Sequence, residues 1–252
     1  MNCTYYTYVR NSNLDYTLAN TVPEISIIIP TLNEEEHIGR LIRHLTDNDH
    51  QVEIIIADAN SSDKTVEIAE NLGAQIAKLN QPSRPKQLND GARLATADLL
   101  YFVHADTLPP KDYANQILSA SADGKTFGSF RFQFDSDRRA LRFNSWWTHL
   151  PIMIARGGDQ SLFISRKLFD NLDGYSEEHI VMEDYDIIRR GKKLAKFQLL
   201  QDDVLVSARK YDENPYWKVN SSNFIIFTLY YLGVSPARLL RLYKKLIRHP
   251  KS

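Results

Sequence analysis

Between Ile25 and Val103 the chain alternates short apolar, β-branched runs with stretches whose apolar residues recur at helical spacing. Ile25–Ile29 reads as a strand that Pro30 stops. Glu34–Leu45 places Ile38, Leu41, Ile42 and Leu45 on one helical face. Val52–Ala57 reads as a strand, and Thr65–Leu72 as a helix opened by the capping cluster Ser61, Ser62 and Asp63. Ala74–Leu79 reads as a strand, Gln87–Ala95 as a helix, and Leu99–Val103 as a strand. Strands and helices in this rhythm demand an α/β fold, a mostly parallel sheet with helices on both faces. Ligands of such sheets sit beyond the carboxyl ends of the strands, so the residues that follow each strand carry the functional information.

The second half is less regular. Gly128–Phe134 alternates like a strand at the sheet's edge, and Arg138–Ile154 is aromatic and helical in part. Ser161–Ser165 reads as a strand, Glu183–Lys193 as a helix, and Phe197–Leu200 and Val204–Ser207 as two further strands. From Tyr216 a helical tail runs on, broken near Gly233-Val234-Ser235-Pro236. No linker separates two domains. Residues 1–23 read as an N-terminal extension, polar and tyrosine-rich, without the apolar centre of a secretory signal. Thirty-one basic and 31 acidic residues leave no net charge, so bulk electrostatics gives no reason to expect a nucleic-acid partner. The single cysteine, Cys3, builds neither a disulfide framework nor a cysteine metal cage, which suits a reducing compartment. No run reaches the roughly 18 apolar residues of a membrane span. The expectation is a cytoplasmic protein.

Four strand ends carry polar chemistry. Pro30-Thr31-Leu32-Asn33-Glu34-Glu35-Glu36 has no glycine and three glutamates, the wrong turn for cradling the pyrophosphate of a dinucleotide. Glu35 and Glu36 suit a helix dipole; Asn33 and Glu34 lie nearer the strand end, within reach of a nucleoside. Asp58 ends the second strand, where a carboxylate accepts from a base N–H or a ribose hydroxyl, and Asn60 tolerates the left-handed conformation that such a turn needs. Arg84 and Lys86 bring two cations to the start of a helix that itself favours anions, or form an ordinary solvated loop. Leu99–Val103 runs into His104-Ala105-Asp106-Thr107 before Pro109-Pro110. A strand-end carboxylate is a ligand for Mg²⁺ or Mn²⁺; an imidazole suits Mn²⁺ better, or serves as a hydrogen-bonded structural histidine.

Further along, Gly157-Gly158-Asp159-Gln160 allows close backbone approach to a ligand or a tight turn. Glu183, Asp184 and Asp186 crowd a helix start, as dipole partners or as a general base. Trp146, Trp147 and Leu150–Ile154 suit an acceptor groove, a membrane contact or core. Arg238–Arg248 is an amphipathic helix with Leu239, Leu242, Tyr243 and Leu246 on one face and cations on another. It packs on its own domain or lies on an anionic membrane surface.

In their order these motifs resemble family 2 glycosyltransferases of the GT-A fold, over roughly residues 24–211. The resemblance rests on Ser26–Glu35, Asp58–Thr65, Asn89-Asp90-Gly91, His104-Ala105-Asp106 and Glu183-Asp184, with Arg84, Gln87, Asn89 and Gly91 and the late Ser207-Ala208-Arg209-Lys210 matching a bacterial subgroup. It implies a nucleotide-binding half (24–107), an acceptor half (108–211) and a basic helical tail (212–252). Pro30, Thr31, Asn33, Glu34 and Asp58 would bind the nucleoside, usually uridine, with Arg84, Lys86 and Asn89 also on the nucleotide side. Asp106, with His104 beside it, would hold Mn²⁺ or Mg²⁺ on the donor diphosphate, and Arg209 would sit near that diphosphate. Asp184, with Glu183, would deprotonate the acceptor hydroxyl; Gly158, Asp159 and Gln160, and the Trp146-Trp147 pair, would shape the sugar or acceptor pocket.

The implied reaction is metal-dependent transfer of one sugar from a nucleoside-diphosphate sugar, with inversion. Two departures stand out. His104 occupies the place of the first acid of an Asp-x-Asp motif, and the Gln-x-x-Arg-Trp motif of processive synthases is absent. Rival readings are a nucleotidyltransferase, against which the missing glycine-rich basic loop counts, and a sugar-nucleotide-binding scaffold with a degraded metal site. A peripheral contact of the tail with the inner face of a membrane is the remaining partner expectation.

Overall fold

The computed structural model describes residues 22–146 and 160–247. Trp147, Gly158 and Asp159, most of the N-terminal extension and the last five residues of the tail lie outside them.

Eight strands form one sheet: β1 (Ile25–Thr31), β2 (Val52–Asp58), β3 (Gln75–Lys78), β4 (Leu99–Phe102), β5 (Thr107–Leu108), β6 (Phe127–Phe134), β7 (Leu162–Ser165) and β8 (Gln198–Val206). Their order is β3-β2-β1-β4-β7-β6-β8-β5. The first four are parallel, in the arrangement that the βα rhythm requires. Antiparallel β7 then joins β4 to the second half. Strand β6 runs antiparallel to β7 and parallel to β8.

Period-two alternation splits the core between the two faces. Ile25, Ile27, Ile29, Ile54, Ile56 and Tyr101 meet α1 (Glu35–Thr46) and α4 (Tyr113–Ala122). Ile28, Ile55, Ala57, Leu100 and Phe102 meet α3 (Arg84–Leu94), α6 (Arg166–Asn171) and α7 (Glu183–Gly191). The short α2 (Thr65–Asn71) and α5 (Arg139–Trp146) pack near β3 and β6 respectively. Gly91 lets α3 lie close on the sheet: a Cβ there would stand 2.5 Å from Ile28 Cγ2.

Several element boundaries differ from the sequence reading. Pro30 does not stop β1, which continues to Thr31 in register with Asp58. Pairing with β4 ends at Ile28, so on that side of β1 no ladder remains at Pro30 to need its missing N–H, while the pairing with β2 continues to Thr31. Helix α3 begins at Arg84 instead of Gln87; Ser83 is its N-cap and Pro85 sits in its first turn. Strand β6 is interior, flanked by β7 and β8, and not an edge. The two expected late strands are one, β8, with a register shift opposite Ser129–Arg131.

The tail folds as α8 (Lys210–Glu213), α9 (Tyr216–Tyr231) and α10 (Pro236–Leu246). Leu239 is fully buried with Ile226, Tyr230 and Met182, so α9 and α10 close over the start of α7. Leu242, Tyr243 and Leu246 of α10 are half-buried, while Arg238, Arg241, Lys244 and Lys245 are exposed. No helix among the described residues is long and apolar enough to cross a membrane.

Candidate active site

The carboxyl ends of β1, β2 and β4 meet at a lattice of short polar contacts. Asp58, 2 % exposed, accepts from the Thr31 hydroxyl (2.8 Å) and the Ser61 hydroxyl (2.5 Å) on Oδ1, and from Ser61 N–H (2.8 Å) on Oδ2. Asn33 and Asn60 both adopt left-handed backbone, with φ of 54° and 67°. Asn33 Oδ1 accepts from Ser62 N–H at 2.9 Å, and Glu34 N–H donates to Thr65 Oγ1 at 2.7 Å, which locks the first two βα loops together. Gln87 donates to the carbonyls of Thr31 (2.9 Å) and Ala57 (2.8 Å), clamping the two strand ends.

Beyond this lattice lies a cavity of about 250 Å³ bordered by Pro30, Glu34, Arg84, His104, Asp106 and Arg209. Arg209 forks onto Glu34 (3.0 and 2.9 Å) and also pairs with Asp106 at 3.0 Å. One planar guanidinium thus joins the end of β1 to the loop after β4. Arg84 donates to His104 Nδ1 at 3.2 Å and stands 3.6 Å from Glu183. Burial, then the positive charges of Arg84 and Arg209, hold His104 well below the usual imidazole range. The ring is therefore neutral, and since Nδ1 accepts from Arg84, its proton sits on Nε2.

Among the described residues no three His, Cys, Asp or Glu side chains converge on one metal position. Asp106 offers one carboxylate at the cavity wall. That donor set fits a hard divalent ion which takes its other ligands from a diphosphate and water.

A second cavity, of about 390 Å³, adjoins the first and shares Arg84, Lys210, Asn223 and Tyr243 with it. Glu183 and Asp184 border it at the start of α7. The residue before them, Met182, is held at φ 75°, a strained conformation for a side chain of its size. Burial pushes the Glu183 carboxyl up to about 8, the charge of Asp184 adds to the rise, and Arg84 only partly opposes it. Glu183, the more deeply buried of the two acids, thus holds its proton more tightly than an ordinary carboxyl. Tyr175, packed beneath, has a buried hydroxyl with no hydrogen-bond partner among the described residues.

Not every residue singled out in the sequence reaches a cavity. Asn89 clasps the backbone of Tyr175, donating to its carbonyl and accepting from its N–H, both at 2.8 Å. Lys86 is exposed and faces Asp90 at 3.7 Å, one turn along α3. Gln160 is buried, and Trp146 is half exposed and stacked on Phe143. Conversely, Lys210, Asn223 and Tyr243 line both cavities, with Lys210 donating to the Tyr243 hydroxyl at 3.0 Å. Lys210 ends the Ser207–Lys210 segment and Tyr243 lies on the apolar face of the tail helix, but no local motif marks Asn223. The tail's inward apolar spacing was the one signal that it would pack on this site.

A curled α/β sheet with acids and arginines beyond its strand ends defines a GT-A type of nucleotide-sugar fold. The sequence model for glycosyl transferase family 2 matches residues 26–176, and the chain belongs to that family. It is 30% identical over 108 residues to a 4,4'-diaponeurosporenoate glycosyltransferase of Staphylococcus haemolyticus, covering 40% of this chain and 29% of that protein. To a beta-monoglucosyldiacylglycerol synthase of Synechocystis it is 26% identical over 202 residues, 68% of this chain and 41% of that protein. The chain thus spans less than half the length of these relatives.

Solved structures share the fold. The mannosyltransferase PcManGT of Pyrobaculum calidifontis, in complex with GDP-Man and Mn²⁺, superposes with a TM-score of 0.65 at 15% identity, covering 82% of this chain and 63% of that one. S. aureus TarS 1-349 in complex with UDP-GlcNAc gives 0.63 at 16% identity, covering 88% and 71%. Glucosyl-3-phosphoglycerate synthase of Mycobacterium tuberculosis with Mn²⁺, UDP and glucosyl-3-phosphoglycerate gives 0.56 at 19% identity, covering 90% and 87%.

Proposed function

We propose that this chain transfers a single sugar from a nucleoside-diphosphate sugar, UDP-linked, to an acceptor hydroxyl with inversion at the anomeric carbon. The observation that carries the reading is the shared wall of the two cavities. Arg84, Lys210, Asn223 and Tyr243 stand between an arginine-lined strand-end pocket and a pocket bordered by the Glu183-Asp184 pair. A single displacement needs that layout: the leaving diphosphate on one side of the anomeric carbon, the nucleophile and its base on the other. The relatives' complexes with UDP, UDP-GlcNAc and GDP-Man support a nucleoside-diphosphate donor.

In this reading the nucleoside rests against Pro30, Thr31, Asn33 and Glu34; Asp58 ties the Thr31 hydroxyl to Ser61, which in turn accepts from Asn33 N–H. Arg84 and Arg209 balance the charge that builds on the diphosphate as its bond to the sugar breaks. A divalent ion held by Asp106 and the diphosphate oxygens, as Mn²⁺ accompanies the nucleotide in two of the relatives, would supply further charge neutralisation. Asp184 accepts the acceptor's hydroxyl proton while the acceptor oxygen bonds to the anomeric carbon. Burial raises the pKa of Glu183, while Asp184 is the more accessible acid of the pair and takes the base role in this reading.

Asp184→Asn should lower transfer by about 10²–10⁴-fold, the usual worth of a positioned base. UDP affinity, measured by titration calorimetry, should be retained. Sugar transfer at the wild-type rate in this variant would remove Asp184 from the role.

A further inference from the structure

Resting on that reading, we propose that the acceptor is an anionic amphiphile: a hydroxyl-bearing headgroup with a phosphate or carboxylate, joined to an apolar chain. The two cavities differ in their walls. The strand-end pocket is lined mainly by charged and hydrogen-bonding groups. The second, about 390 Å³ and within the range of small-molecule sites, has a wall of Ile226, Phe227 and Leu240 from α9 and α10. Ile180 and Val181 add an apolar lip on the α7 side. That wall does little for a small, fully polar acceptor, whereas an alkyl chain gains from each methylene it buries there.

The charges point the same way. Arg84, Lys210 and Lys244 border this cavity, and among the described residues its acids are Glu183 and Asp184. Three cations thus face two carboxyls. An acceptor that brings a negative charge beside its reacting hydroxyl is steered in by that imbalance, with its hydroxyl toward Asp184.

The outer side of the same wall favours a lipid as the source of such a group over a free metabolite. Trp217, Phe224, Ile225, Tyr231 and Leu232 are all exposed on α9. Their spacing places them on one stripe. The neighbouring α10 exposes Arg238, Arg241, Lys244 and Lys245. An apolar stripe beside a cationic helix is the pattern that rests on an anionic bilayer surface.

Three probes separate these features in binding assays on the full chain, by saturation-transfer NMR with saturating UDP. Lysophosphatidylglycerol below its micelle concentration carries hydroxyl, phosphate and chain. Glycerol 3-phosphate lacks the chain, and monoacylglycerol lacks the phosphate. The lysophospholipid should bind at least about tenfold tighter than either, and Lys244→Glu should weaken it about tenfold, the scale of one charge-assisted contact. Leu240→Gln, a second variant that alters the wall and leaves the charge in place, should weaken it as well. Equal binding of glycerol 3-phosphate would make the acceptor a soluble anion and overturn the amphiphile. Equal binding of monoacylglycerol, or wild-type affinity in Lys244→Glu, would overturn the anionic requirement. Failure of all three probes while UDP still binds would overturn this inference alone; failure of UDP itself would bring down the proposed function with it.

Discussion

The two walls of the site are built by different means. On the strand-end side, backbone and buried polar groups interlock: Thr31, Asp58 and Ser61 share one carboxylate, and Gln87 pins two strands through their carbonyls. On the side of the tail, apolar side chains of three helices meet over Met182, with isolated polar ties such as Lys210 to Tyr243 and Tyr230 to Asp186. Hydrogen-bond lattices have one geometry and fail when a member is removed. Apolar contacts tolerate shifts and repacking. A fixed wall suits a part of the substrate that does not vary, the nucleotide, and an adaptable wall suits an acceptor.

The largest effect should come from breaking the fixed wall. Asp58→Ala leaves the Thr31 hydroxyl and two Ser61 donors without their acceptor, at about 1–3 kcal/mol for the buried Thr31 donor and less for each half-buried Ser61 donor, which water can reach. Urea denaturation should show the loss, and calorimetry a matching fall in UDP affinity; an undiminished UDP affinity would mean that the lattice is structural only. Next comes Glu183, at the seam between the walls. Its folded carboxyl keeps a proton up to about pH 8, whereas in the unfolded chain it loses it near the ordinary 4.5. Through that window the folded state holds more protons than the unfolded one, so stability falls as pH rises from about 4.5 to about 8. Glu183→Gln should remove that fall, giving little change in Tm at pH 4 and a gain over wild type at pH 8. Asp186, on the same helix, has the opposite sign. Burial raises its pKa, but hydrogen bonds from Arg190 and Arg189 outweigh this and hold it below its usual value, so its contribution is lost as pH falls.

The contrast between the walls also decides what the sequence could reveal. Strand ends of a parallel sheet follow one another at short intervals, so Thr31, Asp58 and Asp106 are announced by the apolar runs before them. The capping residues Ser83 and Pro85 were equally visible, yet Pro85 reads as a loop residue unless its tolerance for a helix's first turn is applied. The place of β6 was not visible: its alternation fits an edge, and only the pairing with both β7 and β8 makes it interior. Strand β8 reads as two because Asp202 and Asp203 interrupt it, and Asp203 is satisfied there by Arg131 at 3.0 Å, an ion pair across 72 residues. Asn223 and Tyr243 come to border the same cavities as Arg84 only through the docking of α9 and α10, a long-range event.

A smaller perturbation tests whether the walls are independent. Leu239 is the buried centre of the cluster that holds α10 against Ile226, Tyr230 and Met182. Leu239→Ala should cost about 2–3 kcal/mol, the low end of the range for such a truncation, because half-buried neighbours such as Leu242 and Tyr243 can move into the space. Loosening α10 displaces Leu240, Tyr243 and Lys244 together, so amide exchange across Pro236–Leu246 should accelerate and acceptor KM should rise. The strand-end lattice contains no residue of α10, and among the described residues of α10 Tyr243 alone borders the donor cavity, so UDP affinity should stay within about twofold, under 0.5 kcal/mol. If UDP affinity falls in step with acceptor affinity, the walls are coupled. The contact through which that coupling would run is Lys210 to Tyr243, since Lys210 follows Arg209 directly in the chain and Arg209 grips Glu34 and Asp106. Tyr243→Phe, which removes the hydroxyl and keeps the ring, should then reproduce the loss of UDP affinity without the loss of stability.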